Sequence, residues 1–305
     1  MNGSPPSSLD QLFPGSETRT LAGAGADIFV RLMGSGPPLL LLHGFPQTHA
    51  MWHRTAPRLA KRFSLVMPDL RGYGRSSAPE DAGGGELYSK RRMAADLIAV
   101  MDALGHSRLF VAGHDRGGRA AYRMALDHPE RVSRLAVLDI VPTLDMWRGM
   151  NHAGMMATYH WAFLAQPFPL PERLIAGDPD FYADWTLASW TKAKDLSAFH
   201  PAALADYRAT MRNPATRHGA CNDYRAGATI DAAFDEEDFS AGKRIACPTL
   251  ALWGEAGIPG KRSDPIEVWR RWCDGGVEGF GIGAGHFLPE ENPDATADRL
   301  EAFFA

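Results

Sequence analysis

Gly113-His114-Asp115-Arg116-Gly117 is the stretch that decides the fold. It follows an apolar run typical of a strand, Leu109 to Ala112, and precedes a helix that we predict from Arg119 to Asp127. Glycines two residues before and after a central side chain have the spacing of a nucleophile elbow, with Asp in place of Ser. The alternative is a turn Asp that only caps the next helix. The strand–turn–helix context favours the nucleophile, so we expect Asp115 to face a ligand.

Strands and helices alternate along the chain on both sides of this turn. The predicted strands are Arg19 to Leu21, Asp27 to Leu32, Pro38 to His43, Phe63 to Met67, Leu109 to Ala112, Leu135 to Ile140 and Cys247 to Trp253. The first two form a hairpin, and an amphipathic helix runs from Ser89 to Leu104 before Gly105. This alternation predicts an α/β fold with a mostly parallel sheet flanked by helices. The active site is expected beyond the carboxyl ends of the strands.

The alternation stops between Pro142 and about Ser240. This segment is rich in Trp, Met, Tyr and His at helical spacing, for example from Asp180 to Lys192. We therefore predict a core domain over 1–141 and 241–305 and an inserted helical cap domain over 142–240. Later helices are predicted from Pro265 to Trp272 and from Asn292 to Phe304, and Gly275 to Gly285 is only a weak strand signal. The loop from Asp81 to Glu86 is low in complexity and is expected to be mobile.

Composition excludes several classes of protein. Among 305 residues, 32 Lys and Arg face 36 Asp and Glu, which gives a formal net charge of −4. Without a long basic run, nucleic acid is not an expected partner. No apolar run approaches the roughly 20 residues that cross a bilayer, and the first residues do not resemble a signal peptide, so we expect a cytoplasmic protein without a membrane partner. Cys221, Cys247 and Cys273 fit neither a disulfide framework nor a zinc site.

An aspartate nucleophile points to a particular chemistry. It is already charged, so it can attack an sp³ carbon without a base and form an ester on the enzyme. Hydrolysis of that ester needs a histidine to activate water and donors that stabilise the oxyanion. His43-Gly44-Phe45-Pro46 follows a predicted strand where folds with this elbow supply one donor, the Phe45 N–H, and Arg116 supplies the other.

The predicted base is His286, in the glycine-flanked loop Gly283 to Pro289 before the last helix. Proteins with this elbow often carry the orienting acid just after a strand that ends in Leu-Trp-Gly. Here Trp253-Gly254-Glu255-Ala256-Gly257 has glycine at that position. We assign the role to Asp139, at the end of the strand from Leu135, and keep Glu255 as the fallback.

Arg116 and Arg119 lie three residues apart in the first turn after the nucleophile. Cations at this end of a helix oppose its dipole, and an unfavourable local choice beside a nucleophile suggests function. Two guanidinium groups there could bind a substrate carboxylate through bidentate hydrogen bonds. The alternative is a pair of solvated surface arginines.

These residues resemble a known family. His43 to His49, Asp69-Leu-Arg-Gly-Tyr-Gly74, Gly113 to Arg119, Val137-Leu-Asp139, Tyr159-His-Trp161 and Gly285 to Glu290 together look like fluoroacetate dehalogenases, which are α/β-hydrolases with a helical cap. The resemblance runs from about Leu39 to the C-terminus, and Asp-Arg-Gly-x-Arg with Tyr-His-Trp is its most specific part. Haloalkane dehalogenases and epoxide hydrolases commonly have Trp after the nucleophile, whereas this sequence has Arg116, which favours an anionic substrate.

The resemblance implies roles for further residues. The nucleophile, acid and base match Asp115, Asp139 and His286, and the carboxylate clamp matches Arg116 and Arg119. The halide pocket matches His160, Trp161 and Tyr224, and Trp190 is expected to line the same pocket. For the three halide-pocket residues the alternative is ordinary packing in the cap. The resemblance implies neither a metal nor an organic cofactor. It does imply a homodimer.

The predicted activity is hydrolytic dehalogenation of short 2-halocarboxylates, with fluoroacetate converted to glycolate and fluoride. Two alternatives stay open. An epoxide hydrolase uses the same Asp–His chemistry, with a pair of cap tyrosines that activate the epoxide oxygen. A non-catalytic ligand-binding member of the fold would keep the pocket without turnover, although the complete set of Asp115, Asp139 and His286 argues against it.

Overall fold

The computed structural model describes residues 9–81 and 84–305. The Pro/Ser-rich start over 1–8 lies outside this range, as do residues 82 and 83 of the loop that we expect to be mobile. At the start of that loop, the Asp81 carboxylate accepts hydrogen bonds from the N–H groups of Gly84, Gly85 and Leu87. The mobility of the loop stays a prediction.

Eight strands form one sheet in the order β1-β2-β4-β3-β5-β6-β7-β8. The β1–β2 and β2–β4 pairs are antiparallel and all the other pairs are parallel. The predicted hairpin and mostly parallel sheet are therefore confirmed. The strands are β1 Glu17–Ala22, β2 Asp27–Met33, β3 Pro38–Leu42, β4 Ser64–Pro68, β5 Leu109–His114, β6 Val132–Leu138, β7 Thr249–Gly254 and β8 Val277–Ile282.

Helices cover the sheet and fill the interval between β6 and β7. Those of the core sequence are α1 Ala56–Leu59, α2 Lys90–Ala103 and α3 Asp115–Asp127 before that interval. Within it lie α4 Thr143–Arg148, α5 His152–Ala157, α6 Tyr159–Leu164, α7 Leu170–Gly177, α8 Pro179–Trp190, α9 Pro201–Arg212, α10 Pro214–Ala228 and α11 Ile230–Ser240. After it come α12 Ile258–Arg262, α13 Pro265–Arg270, α14 Leu288–Glu291 and α15 Pro293–Phe304.

The central strands are buried on both faces. In β3, Leu40 and Leu42 pack into one hydrophobic cluster, whereas Leu39 and Leu41 pack into the other. Successive side chains of a strand point to opposite faces, so the continuous apolar run at 38–42 reflects helices on both sides of the sheet. This two-sided core holds the ends of β3, β5 and β6 rigidly beside one another.

Every named element between β6 and β7 is a helix, from Thr143 at the start of α4 to Ser240 at the end of α11. This agrees with the helices expected there, and the division into core and cap domains stays a prediction. Within the described residues, no helix combines the length and the apolar character that crossing a membrane requires.

Some predicted boundaries were wrong. Helix α3 begins at Asp115, four residues before the predicted start, because the elbow turns directly into the helix. Strand β6 spans Val132–Leu138 rather than residues 135–140, so Asp139 lies just beyond its end. The weak signal over 275–285 does contain a strand, β8, beside β7.

Candidate active site

Asp115 lies at the junction of β5 and α3, in a turn that only glycines permit. Its backbone has φ of +47°, a left-handed conformation that is strained for a residue other than glycine. A Cβ at Gly113 would lie 2.5 Å from the Gly117 oxygen, and a Cβ at Gly117 would collide with the His43 oxygen. The two glycines therefore allow β5, α3 and the end of β3 to approach, and this approach directs the Asp115 side chain out of the sheet.

The backbone after β3 contacts the Asp115 carboxylate. Phe45 donates its N–H to Asp115 Oδ1 at 2.9 Å, and a Cβ at the adjacent Gly44 would collide with Asp115. This donor is placed where it could stabilise negative charge on one carboxyl oxygen. The other oxygen, Oδ2, remains directed toward His286.

His286 lies between two carboxylates. Its Nδ1 is 2.6 Å from Asp139 Oδ2, and its Nε2 is 3.9 Å from Asp115 Oδ2. Asp139 follows β6 directly, and its Oδ1 accepts the N–H of Gly254 at 2.9 Å. The hydrogen bond to Nδ1 fixes the imidazole so that Nε2, which has no hydrogen-bond partner among the described residues, faces the nucleophile.

Gly257 explains why the frequent acid position holds no acid. A Cβ at Gly257 would lie only 2.5 Å from Asp139 Oδ1. The Asp139 carboxylate therefore occupies the space that a side chain at 257 would need. Glu255, the fallback acid, does not bond to His286, which pairs with Asp139 instead.

The negative charge of Asp115 and the positive charge of protonated His286 stabilise each other. Burial raises the pKa of Asp115, but His286 and the two nearby arginines outweigh burial and hold that pKa well below its usual range. Burial lowers the pKa of His286, whereas the hydrogen bond and charge of Asp139 and the charge of Asp115 raise it above its usual 6.5. Asp115 is thus an ionised carboxylate at neutral pH.

Arg119 lines the cavity in front of Asp115. Its guanidinium lies 4.5 Å from the Trp161 ring centroid, and its Nη1 donates to Val141 O and to Thr143 Oγ1, each at 3.1 Å. Neither partner is acidic, and burial together with Arg116 lowers the pKa of Arg119. Its positive charge is available to an anionic ligand.

Arg116 is placed differently. It is fully buried and does not line the cavity. Its Nε and Nη2 donate to the Asp223 carboxylate at 3.0 and 2.6 Å, and its Nη1 has no hydrogen-bond partner among the described residues. The structure therefore places only Arg119 of the predicted clamp on the cavity surface, and neither arginine is a solvated surface residue.

The cavity measures about 320 Å³ and lies between the sheet and the helices of 142–240. Within residues 9–81 and 84–305, three residues other than glycine have a positive φ. They are Asp115, Asp139 and Lys194, and all three line the cavity. Strained backbone tends to cluster at functional sites. Other lining residues include Arg119, Ile140, Met146, His160, Trp161 and His286.

The predicted halide-pocket residues lie together. His160 and Trp161 of α6 line the cavity, and Tyr224 of α10 lies behind them, with its ring centroid 5.7 Å from that of His160 and 6.2 Å from that of Trp161. His160 Nδ1 and the Tyr224 hydroxyl have no hydrogen-bond partner among the described residues. Burial lowers the pKa of His160 to about 3, so its ring is neutral.

Sequence reasoning missed several residues. Asp223 is 107 positions from Arg116, and no linear motif joins them. Lys194 and Lys261 also line the cavity, and Met146 and Ile258 give it an apolar wall. The described residues contain no cluster of three or more His, Cys, Asp or Glu that could hold a metal ion.

With this fold and site in view, comparison with known proteins identifies the class. The profile of the alpha/beta hydrolase fold family matches residues 37–293, and the chain belongs to this family. It is 43% identical to a fluoroacetate dehalogenase from Burkholderia sp over 96% of this chain and 95% of that protein. It is 31% identical to a soluble epoxide hydrolase from Corynebacterium sp. (strain C12) over 89% of this chain and 91% of that protein.

A solved structure gives the same result for the fold. An alpha/beta hydrolase from Nostoc sp PCC 7120 superposes with a TM-score of 0.93 at 48% identity, over 96% of this chain and 99% of that chain. The predicted fold class and the resemblance to fluoroacetate dehalogenases are thereby confirmed. The protein is a hydrolase.

Proposed function

We propose that this hydrolase removes halide from short 2-halocarboxylates and converts fluoroacetate to glycolate and fluoride. The observation that carries the proposal is the position of Arg119. Its buried guanidinium has no acidic partner in the part of the chain that the structure describes, and it shares the cavity with the ionised Asp115. An anionic substrate would otherwise be repelled by the nucleophile, and a fixed cation beside it allows the two anions to meet. The identity to a fluoroacetate dehalogenase supports the same chemistry.

In the first step, Asp115 displaces the halide. Arg119 binds the substrate carboxylate, with Arg116 behind it, and orients the α-carbon toward Asp115 Oδ2. A new C–O bond forms as the carbon–halogen bond breaks, and the halide leaves with the bonding electrons. Fluoride is small and strongly hydrated, so it needs donors, which His160, Trp161 and Tyr224 would supply.

In the second step, His286 activates water. Ester formation removes the negative charge of Asp115, one of the causes that raise the pKa of His286. The imidazole therefore loses its proton more easily at the moment when a base is needed. The water gives a proton to His286 Nε2 and attacks the Asp115 carboxyl carbon, and the Phe45 N–H stabilises the oxyanion, with the Arg116 N–H as the second predicted donor. The bond between the carboxyl carbon and the glycolate oxygen then breaks, His286 returns the proton to that oxygen, and glycolate leaves with Asp115 restored as a carboxylate.

Epoxide hydrolysis is the second candidate, because a soluble epoxide hydrolase is 31% identical and the buried Tyr224 hydroxyl finds no partner among residues 9–81 and 84–305. The two activities separate in one experiment, in which fluoride release from fluoroacetate and diol formation from a small epoxide are measured on the same preparation. We expect fluoride release, abolished in Asp115→Asn. Diol formation without fluoride release would favour the epoxide hydrolase.

We also propose a homodimer. Exposed large apolar side chains gather on the helices of 142–240, with Phe181 and Trp185 of α8 stacked at 6.1 Å and Leu174 of α7 exposed. Such patches on a surface often mark protein contacts. Sedimentation should show a dimer that dissociates in Phe181→Ser/Trp185→Ser, and a monomeric parent protein would contradict the proposal.

A further inference from the structure

Asp223 joins three segments of the chain at one carboxylate. It lies on α10, is fully buried, and bonds with both oxygens to Arg116 of α3. Its Oδ2 also accepts the Tyr73 hydroxyl at 2.8 Å, and its Oδ1 accepts Lys90 Nζ at the start of α2. The backbone oxygen of Asp223 accepts a further bond from Arg116 Nη2 at 2.7 Å. Arg116 is thus held at three points by a single residue.

The two arginines of the predicted clamp therefore differ in charge balance. Arg116 pairs with the Asp223 carboxylate, which it shares with Lys90, and three of its donor positions are fixed, which leaves Nη1. Within the described residues, Arg119 bonds to neutral oxygens alone. Coulomb attraction in a buried site depends on uncompensated charge, whereas alignment depends on fixed donors. The structure provides one arginine of each kind.

We infer that Asp223 is a positioning residue, which holds Arg116 in one fixed position behind Arg119, while Arg119 supplies the charge that binds the substrate carboxylate. The inference rests on the proposed function, because it assigns the substrate anion to this site. It predicts that orientation and affinity can be separated by substitution. Without the Asp223 carboxylate, the net positive charge near the substrate increases, but the guanidinium of Arg116 is no longer held in place.

The test is Asp223→Asn. We expect kcat for fluoroacetate to fall about 10²-fold, since a small misplacement of reacting groups has an effect of this size. KM should stay the same or fall, because the site becomes more positive. The dissociation constant of acetate, a carboxylate without a leaving group, should also stay the same or fall when measured by calorimetry. Loss of packing alone would weaken acetate binding.

A second variant separates positioning from charge balance. Asp223→Asn leaves Lys90 buried beside Arg116 without their shared carboxylate, and such an uncompensated charge destabilises a protein. Lys90→Met/Asp223→Asn removes the charges of Lys90 and Asp223 together, leaves Arg116 as the remaining charge of the three, and should recover part of the thermal stability. If Asp223 positions Arg116, kcat should stay low in this stable double variant. Recovery of kcat together with stability would overturn the inference.

Asp231→Asn is the matched control. Asp231 is a buried carboxylate of α11 that accepts the backbone N–H of Lys90 at 2.8 Å but does not bond to Arg116. It should change kcat less than threefold. Equal losses in Asp231→Asn and Asp223→Asn would contradict a specific action through Arg116.

Acetate binding needs no turnover, so the inference and the proposed function can fail separately. Absence of fluoride release from the parent protein would refute the function, and the acetate constants would still test Asp223. Weaker acetate binding in the stable double variant would overturn the inference. Unchanged or tighter acetate binding in the double variant would support the inference, provided that kcat is low for the reaction that the parent protein catalyses.

Discussion

The strand ends of the core and the helices of 142–240 contribute to the cavity in different ways. In the core, Asp115 Oδ1, Asp139 and His286 Nδ1 are fixed by hydrogen bonds. In the helical segment, His160 Nδ1 and the Tyr224 hydroxyl are buried without a partner in the described chain. Fixed groups suit a reaction that is the same for every substrate, and unpaired donors suit recognition of one leaving group. Substitutions in the core should therefore stop turnover, and those in the helical segment should change preference.

The largest effect should follow from His286→Asn. The attack by Asp115 needs no base, but hydrolysis of the ester does, so multiple turnover should fall by about 10⁴-fold or more. Mass spectrometry should find a carboxymethyl group on the protein. Asp115→Asn/His286→Asn should stay unmodified. An unmodified His286→Asn protein after long incubation would show that Asp115 does not form an ester that depends on His286 for its hydrolysis.

Arg119→Gln should have the next largest effect. It removes the guanidinium charge that binds the substrate carboxylate, so we expect a loss of about 2–5 kcal/mol in kcat/KM, and Arg119→Lys should not fully restore activity, because an ammonium group cannot reproduce the planar fork of a guanidinium. Arg123→Gln is the matched control, because Arg123 lies one turn later on α3, is equally buried and pairs with Asp235 at 2.7 Å away from the cavity. Equal turnover of fluoroacetate and fluoroacetamide would remove the clamp from the mechanism.

Trp161→Phe and Tyr224→Phe test the helical segment. Each deletes one donor and keeps an aromatic ring, and loss of a donor aimed at developing charge costs about 10²–10³ in rate. This loss should appear chiefly with fluoroacetate, because chloride leaves with weaker help. If both substrates slow by similar factors and thermal stability falls, these residues only pack, and the contrast between the two regions disappears.

The smallest effect concerns proton binding at His286. Its pKa should lie above 6.5 in the free enzyme and should fall in Asp115→Asn, because the carboxylate that stabilises the imidazolium is gone. Asp139→Asn should lower it as well. NMR titration of the imidazole measures all three values without turnover. A pKa that is unchanged in Asp115→Asn would mean that ester formation does not prepare the base.

Much of the core could be predicted from the sequence. The elbow around Asp115 and the apolar runs of β3 to β7 are local signals. His286 could be identified because it lies in a glycine-flanked loop before the last helix. Asp139 was harder to place, and it was found because Gly257 left the frequent position empty. The start of α3 was misplaced, because the glycines of the elbow hide the first helical turn.

The helical segment was less predictable because its contacts are between distant residues. Asp223 and Arg116 meet only when α10 packs against α3, and nothing in the local sequence marks either as paired. Their pairing also changes the interpretation of the clamp, since the sequence suggests two equivalent arginines. Strand β8 gave a weak signal because glycines 279 and 281 lie within it and replace the β-branched residues typical of strands.

The most direct test of the account is a single turnover in ¹⁸O-water with enzyme in excess of fluoroacetate. Water attacks the carboxyl carbon of the ester, so the label should enter the Asp115 carboxylate, and the glycolate of this first turnover should be unlabelled. Mass spectrometry of the peptide that contains Asp115, together with the released glycolate, locates the oxygen. Labelled glycolate in that first turnover would mean that water attacks the substrate directly, and would contradict the proposed mechanism.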